Sequence, residues 1–185
     1  MIQETLQAAS EQMEKTIEAT SEDFASVRTG RANPGLYSKV MVDYYGSMTP
    51  LQQLASFTTT DARTLLITPF DVSALRNIEK ALSDSEIGAN PSNDGKVIRV
   101  VTPELTAERR KEYVKLVKSK AEGHKVSLRN ARRKAKEAID KMVKDGETGE
   151  DEGMRAEKEL DAMTRKHSET IEEMAKRKEA ELLEV

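Results

Sequence analysis

All five prolines of this 185-residue chain fall between Pro34 and Pro103, and that confinement constrains everything else. Proline lacks a backbone donor and clashes with the preceding turn, so it breaks helices. The segments outside that window are free of it and can run as long helices. The segment inside must be short, turning structure. Composition agrees with long helices: 34% of residues are charged, 37% hydrophobic and only 4% aromatic, with no Trp. Such a chain makes thin, charged rods rather than a thick globule.

The first segment, residues 1–28, places Ile2, Leu6, Ala9, Met13, Ile17, Phe24 and Val27 at spacings of three and four, broken only across Thr20. This predicts one amphipathic helix, about 40 Å long at about 1.5 Å per residue. A second helix is predicted over 106–144. Thr106 stands at its N-cap, Glu108 in its first turn and Asp145-Gly146 at its stop. Its seam reads Val114, Val117, Ala121, His124, Leu128, Ala131, Ala135, Ala138 and Met142. That pattern is a heptad stripe with small residues in its middle. A third helix is expected over about 151–183, with Met154, Leu160, Met163, His167, Ile171, Met174 and Leu182 inward. The short turn Gly146–Gly149 makes helices two and three antiparallel neighbours. No single seam is wide enough to be buried alone, so three helices must form an elongated bundle.

Residues 31–104 hold the prolines together with Gly35, Gly46, Gly88 and Gly95. Strand-like runs rich in Val, Ile, Thr and Tyr occur at 38–44, 55–59, 64–68 and 96–101. Asp71 can cap a short helix over about 72–83, and Asn93-Asp94-Gly95 signals a turn. The fold class expected is therefore α+β. A three-helix bundle (1–30 and 105–185) carries a small α+β domain (31–104) inserted between helices 1 and 2. Two short connections join the parts, Thr29-Gly30-Arg31-Ala32-Asn33-Pro34 and Val101-Thr102-Pro103-Glu104-Leu105. Gly30 supplies backbone freedom, and the prolines favour extended neighbours. Paired connections of this kind predict a hinge with limited axes.

The net charge of −3 conceals strong segregation. Residues 1–30 carry −4, 31–105 carry −1, 106–145 carry +8 and 146–185 carry −6. One residue beyond each seam position from Val114 to Ala135 lies Lys115, Lys118, Glu122, Lys125, Arg129, Arg132 or Lys136, and Lys111 stands at the start of the row; seven of these eight are cationic. A one-residue step turns about 100°, so this stripe runs beside the buried seam. Arg109, Arg110, Arg133 and Lys134 widen it. A one-sign row about 35–40 Å long suits a phosphate backbone better than a small ligand. Without interleaved aromatics after Tyr113, shape and backbone recognition fits better than base stacking. Two plainer readings compete: a solvated helix face, and pairing with the acidic helices one and three. The residues alone do not separate DNA from RNA.

Other features carry less. Zero cysteines exclude a disulfide framework, a thiolate metal site and a cysteine nucleophile. His124 and His167 both fall on seam positions, which favours core or boundary roles over a metal pair. The seam methionines read as gap fillers. Tyr44-Tyr45-Gly46 reads as a strand end before a turn, with a contact patch as the alternative. Arg28 and Arg31 either bind an anion or cap the first helix. No phosphate loop, HExxH or GxSxG motif is present, so neither catalysis nor a cofactor is expected. The longest apolar runs are three residues, too short to span a bilayer. The first residues, Met1–Thr5, resemble no signal or transit peptide, which gives a cytoplasmic, bacterial protein as the expectation.

The ordered segments Arg28-Thr29-Gly30-Arg31-Ala32, Tyr44-Tyr45-Gly46, Thr49-Pro50-Leu51 with Gln53-Leu54-Ala55-Ser56, Asn90-Pro91 and Ile98-Arg99 carry a resemblance. So do Leu105-Thr106 with Glu108-Arg109-Arg110, Arg129-Asn130 with Arg132-Arg133, and Glu179-Ala180-Glu181-Leu182. Across essentially the whole chain the sequence resembles the bacterial ribosome recycling factor family; Asp43, where relatives often carry Glu, is a mild departure. The resemblance implies an L-shaped, tRNA-like outline. It also implies splitting of the post-termination ribosome together with elongation factor G and GTP. The bundle would dock on large-subunit (23S) rRNA and the smaller domain would be moved by elongation factor G. Arg110, Arg129 and Arg132 carry over as rRNA contacts by motif, with Arg133, Lys118 and Lys125 beside them on the stripe. Thr29, Gly30, Arg31, Thr102, Pro103, Glu104 and Leu105 form the expected hinge. A monomer is expected. The competing reading is a coiled-coil interaction module without an RNA partner.

Overall fold

The computed structural model describes residues 1–87 and 90–184; Gly88 lies outside them. The chain divides into two compact units, Met1–Val27 with Lys111–Val185, and Arg28–Arg110.

The first unit is helical. It comprises α1 (Ile2–Ala25), most of α4 (Ala107–Lys144) and α5 (Glu150–Leu183). Asp23 near the end of α1 meets Lys120 and His124 of α4, while Glu4 and Thr5 near its start line a cleft with Lys134 and Ala138, so these two helices are antiparallel. Lys125 meets Glu172 and Lys136 meets Glu157, so α4 and α5 are antiparallel as well. Met13, Val117, Leu128, Ile139, Leu160 and Ile171 are fully or almost fully buried between the helices. Removing each such side chain from water contributes about 1.5–3 kcal/mol.

The seams differ from the sequence expectation at definable points. On α1, Thr16 and Thr20 fill the buried positions around the half-buried Ile17. Each hydroxyl bonds the carbonyl one turn back, Thr16 to Gln12 at 3.0 Å and Thr20 to Thr16 at 2.7 Å. A satisfied hydroxyl can be buried without the cost of an orphan one. On α4, Ile139 is buried and Met142 only half so. On α5, Met154 is exposed, contrary to expectation, and the buried positions are Gly153 and Ala156. The cause is close packing of α5 on α4. A Cβ at Gly153 would stand 2.6 Å from Val143 Cγ2, so the helices meet where the side chain is smallest.

The second unit has a four-stranded antiparallel sheet, a hairpin and two helices. The hairpin pairs β1 (Met41–Tyr44) with β2 (Ser47–Pro50). The sheet contains β3 (Ala55–Thr59), β4 (Thr64–Pro69), β5 (Asn90–Asn93) and β6 (Ile98–Val101) in the order β3-β4-β6-β5. Leu65 and Ile67 of β4 and Ile98 and Val100 of β6 alternate inward, the period-2 pattern of a one-sided sheet. Leu75, Ile78 and Leu82 of α3 (Leu75–Asp84) complete that core with Tyr37, Val42 and Leu51. Asp71 caps the single 3-10 turn Val72–Ala74 that leads into α3, accepting from Ser73 N at 2.9 Å.

Three local expectations need correction. Residues 38–40 are not strand: they follow α2 (Pro34–Tyr37), which Ser38 closes and Asn33 caps through Gly35 N at 3.0 Å, and β1 begins only at Met41. Proline favours the first position of a helix, and Asn the cap before it. Residues 96–97 belong to the turn, because Asp94 Oδ1 accepts from both Lys96 N and Val97 N. Two strands were not foreseen. Strand β2 is rich in turn formers, and β5 contains Pro91, which an edge strand tolerates.

Candidate nucleic-acid interface

Helix α4 begins as its sequence requires: Thr106 Oγ1 accepts from Arg109 N at 3.2 Å. From there it runs without interruption to Lys144, which holds the cations in one row. Seven cations stand along that row, and the structure divides them into two groups.

Lys111, Lys115 and Lys118 are exposed and carry no ion pair among the described residues. Lys134, beside the row, is likewise exposed and unpaired. The remaining four stripe cations are all paired. Lys125 Nζ stands 2.7 Å from Glu172 Oε1. Arg129 reaches Glu122, the one anion of the row, at 2.7 Å. Arg132 Nε donates to Asp161 Oδ1 at 2.6 Å. Lys136 lies 3.0 Å from Glu157 and 3.3 Å from Asp140. Arg133 is 70% exposed, with Glu137 no nearer than 4.0 Å. Arg110 sits half-buried on the first turn of α4, the last residue of the second unit.

These pairs move the titrations in the direction the chemistry requires. The Lys125 hydrogen bond holds the Glu172 carboxyl below its ordinary range, and Arg129 does the same to Glu122. Bonds to Glu157 and Asp140 raise Lys136. Pairing with an acidic helix therefore applies to three of the seven stripe cations, Lys125, Arg132 and Lys136. The acidic row Glu157, Asp161 and Glu172 was not singled out from the sequence, although spacings of 4 and 11 residues put it on one face of α5.

The histidines have ordinary partners. His124 Nε2 lies 2.9 Å from Asp23 Oδ2, and His167 Nδ1 lies 2.7 Å from Met163 O. Burial opposes ionisation of Asp23, but its bonds from Lys120 and His124 outweigh that and lower its titration. Among the described residues, no group of three or more His, Cys, Asp and Glu stands where it could hold a metal ion. No helix is long and apolar enough to cross a membrane, among the described residues.

Both expected hinge segments lie within the second unit and are tied there. Gly30 adopts φ +77°, a left-handed conformation that glycine takes freely, and a Cβ on it would sit 3.5 Å from Leu105. Arg63 fastens the return segment. Its Nε donates to Thr102 O at 3.0 Å, its guanidinium meets Glu104 Oε1 at 2.9 Å, and its backbone O accepts from Thr102 N. Pro103, between those two anchors, is exposed, as are Glu104 and Arg31, while Thr29 is half-buried. Arg28 donates to Glu86 O at 2.8 Å. At the hairpin tip Tyr45 (φ +49°) and Gly46 (φ +82°) make the turn. Tyr44 Oη donates to Asp71 Oδ2 at 2.9 Å, and Tyr45 Oη lies 2.9 Å from Ser73 Oγ.

A helical unit with a basic face, interrupted by a small α+β unit, defines a class of binding protein with two structural parts. The comparisons identify it further: the family model described as ribosome recycling factor matches residues 20–183. The ribosome-recycling factor of Micrococcus luteus is 85% identical, and that of Pseudarthrobacter chlorophenolicus 72% identical, each over the full length of both chains. A solution structure of the ribosome recycling factor matches with a TM-score of 0.81 at 35% identity, covering 100% of this chain and 98% of that one. A chain from models of the T. thermophilus ribosome recycling factor and the E. coli elongation factor G bound to the E. coli post-termination complex matches with a TM-score of 0.71. It is 40% identical, with full coverage of both chains. The chain belongs to the ribosome recycling factor family.

Proposed function

We propose that this protein splits the post-termination ribosome into subunits together with elongation factor G and GTP, releasing it from mRNA. Full-length similarity to the family carries this reading, supported by the similar chain from models of a ribosome recycling factor and elongation factor G bound to a post-termination complex. In it, the three-helix unit anchors on large-subunit 23S rRNA by phosphate contacts along α4. Arg110, Arg129, Arg132, Arg133, Lys118 and Lys125 take part, and Lys111 and Lys115 extend the row. The inserted unit swings at the connections Thr29–Arg31 and Thr102–Leu105 and transmits motion supplied by elongation factor G. The chain hydrolyses no nucleotide; it has no phosphate-binding loop, and its contribution is positioning. It acts as a monomer in the cytoplasm.

Phosphate anchoring has a measurable signature. If about five phosphates are neutralised, the log–log dependence of binding on salt has a slope of about −3 to −4, using about 0.7 per phosphate. Titration of large subunits with the protein at several salt concentrations gives that slope. A value near zero identifies the coiled-coil interaction module instead.

A further inference from the structure

The pairing of the stripe is uneven in a way that phosphate anchoring alone does not require. Its leading cations, Lys111, Lys115 and Lys118, have no carboxylate partner among the described residues. Its trailing cations Lys125, Arg132 and Lys136 each meet a carboxylate of α5, at 2.7, 2.6 and 3.0 Å. Glu157, Asp161 and Glu172 lie within an arc of about 60° on α5, so one helix face delivers all three.

A carboxylate on a guanidinium or ammonium occupies the position and uses the donors that a phosphate oxygen would take. We propose that Glu157, Asp161 and Glu172 act as internal phosphate substitutes that mask the trailing half of the stripe. They make RNA affinity depend on a target able to displace three carboxylates. This inference rests on the RNA-binding reading and names residues that set its selectivity. The leading lysines make sequence-independent first contact. The trailing cations engage only when an RNA of the right shape holds phosphates against them.

The magnitudes permit exchange. The three carboxylates have side chains 36–52% exposed, and water screens such pairs so that each holds its cation only weakly. A fixed RNA phosphate can displace them, while a loosely held one gains little by doing so. A displaced carboxylate takes up a solution cation. That uptake cancels a counterion released from the RNA, so masking also flattens the salt dependence.

The test compares three full-length proteins on two probes, an RNA duplex of unrelated sequence and purified large ribosomal subunits. The first protein is wild type. The second carries Glu157→Gln, Asp161→Asn and Glu172→Gln. The third carries Glu159→Gln, Glu169→Gln and Glu173→Gln, the same charge change on exposed α5 residues with no ion pair among the described residues. The unmasked variant is expected to bind the duplex about ten-fold tighter than wild type. Its salt slope should be steeper by about 3, from three cations at about 0.9 each on a duplex. The control variant should gain no more than about two-fold, and large-subunit affinity should change less than duplex affinity. Equal gains in both variants would assign the effect to overall charge and overturn the masking role. No gain, or a loss with melting of the bundle, would make these pairs purely structural and overturn it too. If wild type binds neither probe, the RNA reading itself fails. If wild type binds but unmasking changes nothing, only this inference does.

Discussion

Gly153 shows how one missing methyl sets the distance between two helices. Gly to Ala in a helix ordinarily gains about 1 kcal/mol. Here the new Cβ would lie 2.6 Å from the stiff, branched side chain of Val143, and overpacking costs about 1–3 kcal/mol. Gly153→Ala is therefore expected to destabilise the protein by about 1 kcal/mol in denaturant unfolding. In a Val143→Ala background the same change should stabilise it by a similar amount. A stabilising effect in both backgrounds would show that the helices can separate freely. The sequence spacing put Met154 inward because apolar size marks a seam, whereas the close approach selects the smallest residue. At the hairpin tip the tyrosines read as a turn, and they are one. Their link to Asp71 was not readable, because it joins residues 27 positions apart. The hydrogen bond to Asp71 raises the Tyr44 phenol above its ordinary value near 10, and bonds from Ser73 and Tyr44 lower Asp71. The Asp71 contribution is thus present above about pH 4 and lost as pH falls through its lowered value. The Tyr44 contribution is present below about pH 10 and lost as pH rises through its raised value. Asp71→Asn should bring the Tyr44 midpoint in an ultraviolet titration back to near 10. An unmoved midpoint would contradict the hydrogen bond.

Helix α4 was the most legible element, since its cap, its length and its seam as far as Ala135 follow from spacing, and only the last turns depart, where Ile139 rather than Met142 is buried. What spacing left open was which cations have partners, because that depends on the rotation of α5 about its own axis. Among the described residues the leading lysines have no ion-pair partner, while the trailing cations meet five carboxylates, Glu122, Asp140, Glu157, Asp161 and Glu172. Lys111, Lys115 and Lys118, each changed to Gln, should leave the melting temperature within about 2 °C, since exposed and unpaired charges contribute little to stability. The same variant should flatten the salt slope of large-subunit binding by about 2, from three cations at about 0.7 each. A slope unchanged within error would remove these lysines from the interface. Arg132→Gln is the cleaner single variant on the trailing half, because Arg132→Glu would also bring a like charge toward Asp161, the carboxylate that Arg132 meets at 2.6 Å. It should weaken binding with the bundle intact. In the second unit, the strands with alternating apolar residues were legible and the two polar ones were not. Strands β2 and β5 owe their place to pairing with β1 and β6 rather than to their own propensity.

For the molecule as a whole, the proline window marked the inserted unit before any packing was known, and the matching motifs along the full chain identified the family. The proposed division of labour assigns RNA anchoring to the helical unit and motion to the inserted one. That division makes ribosome splitting depend on the basic row of α4. Light scattering of post-termination ribosomes mixed with the protein, elongation factor G and GTP tests it most directly, alongside the Lys111, Lys115 and Lys118 to Gln variant and Arg132→Gln. The account predicts a fall in scattering with wild type and a slower or smaller fall with both variants at equal concentration. Splitting by the variants as fast as by wild type, at concentrations below saturation, would contradict the anchoring role of the stripe.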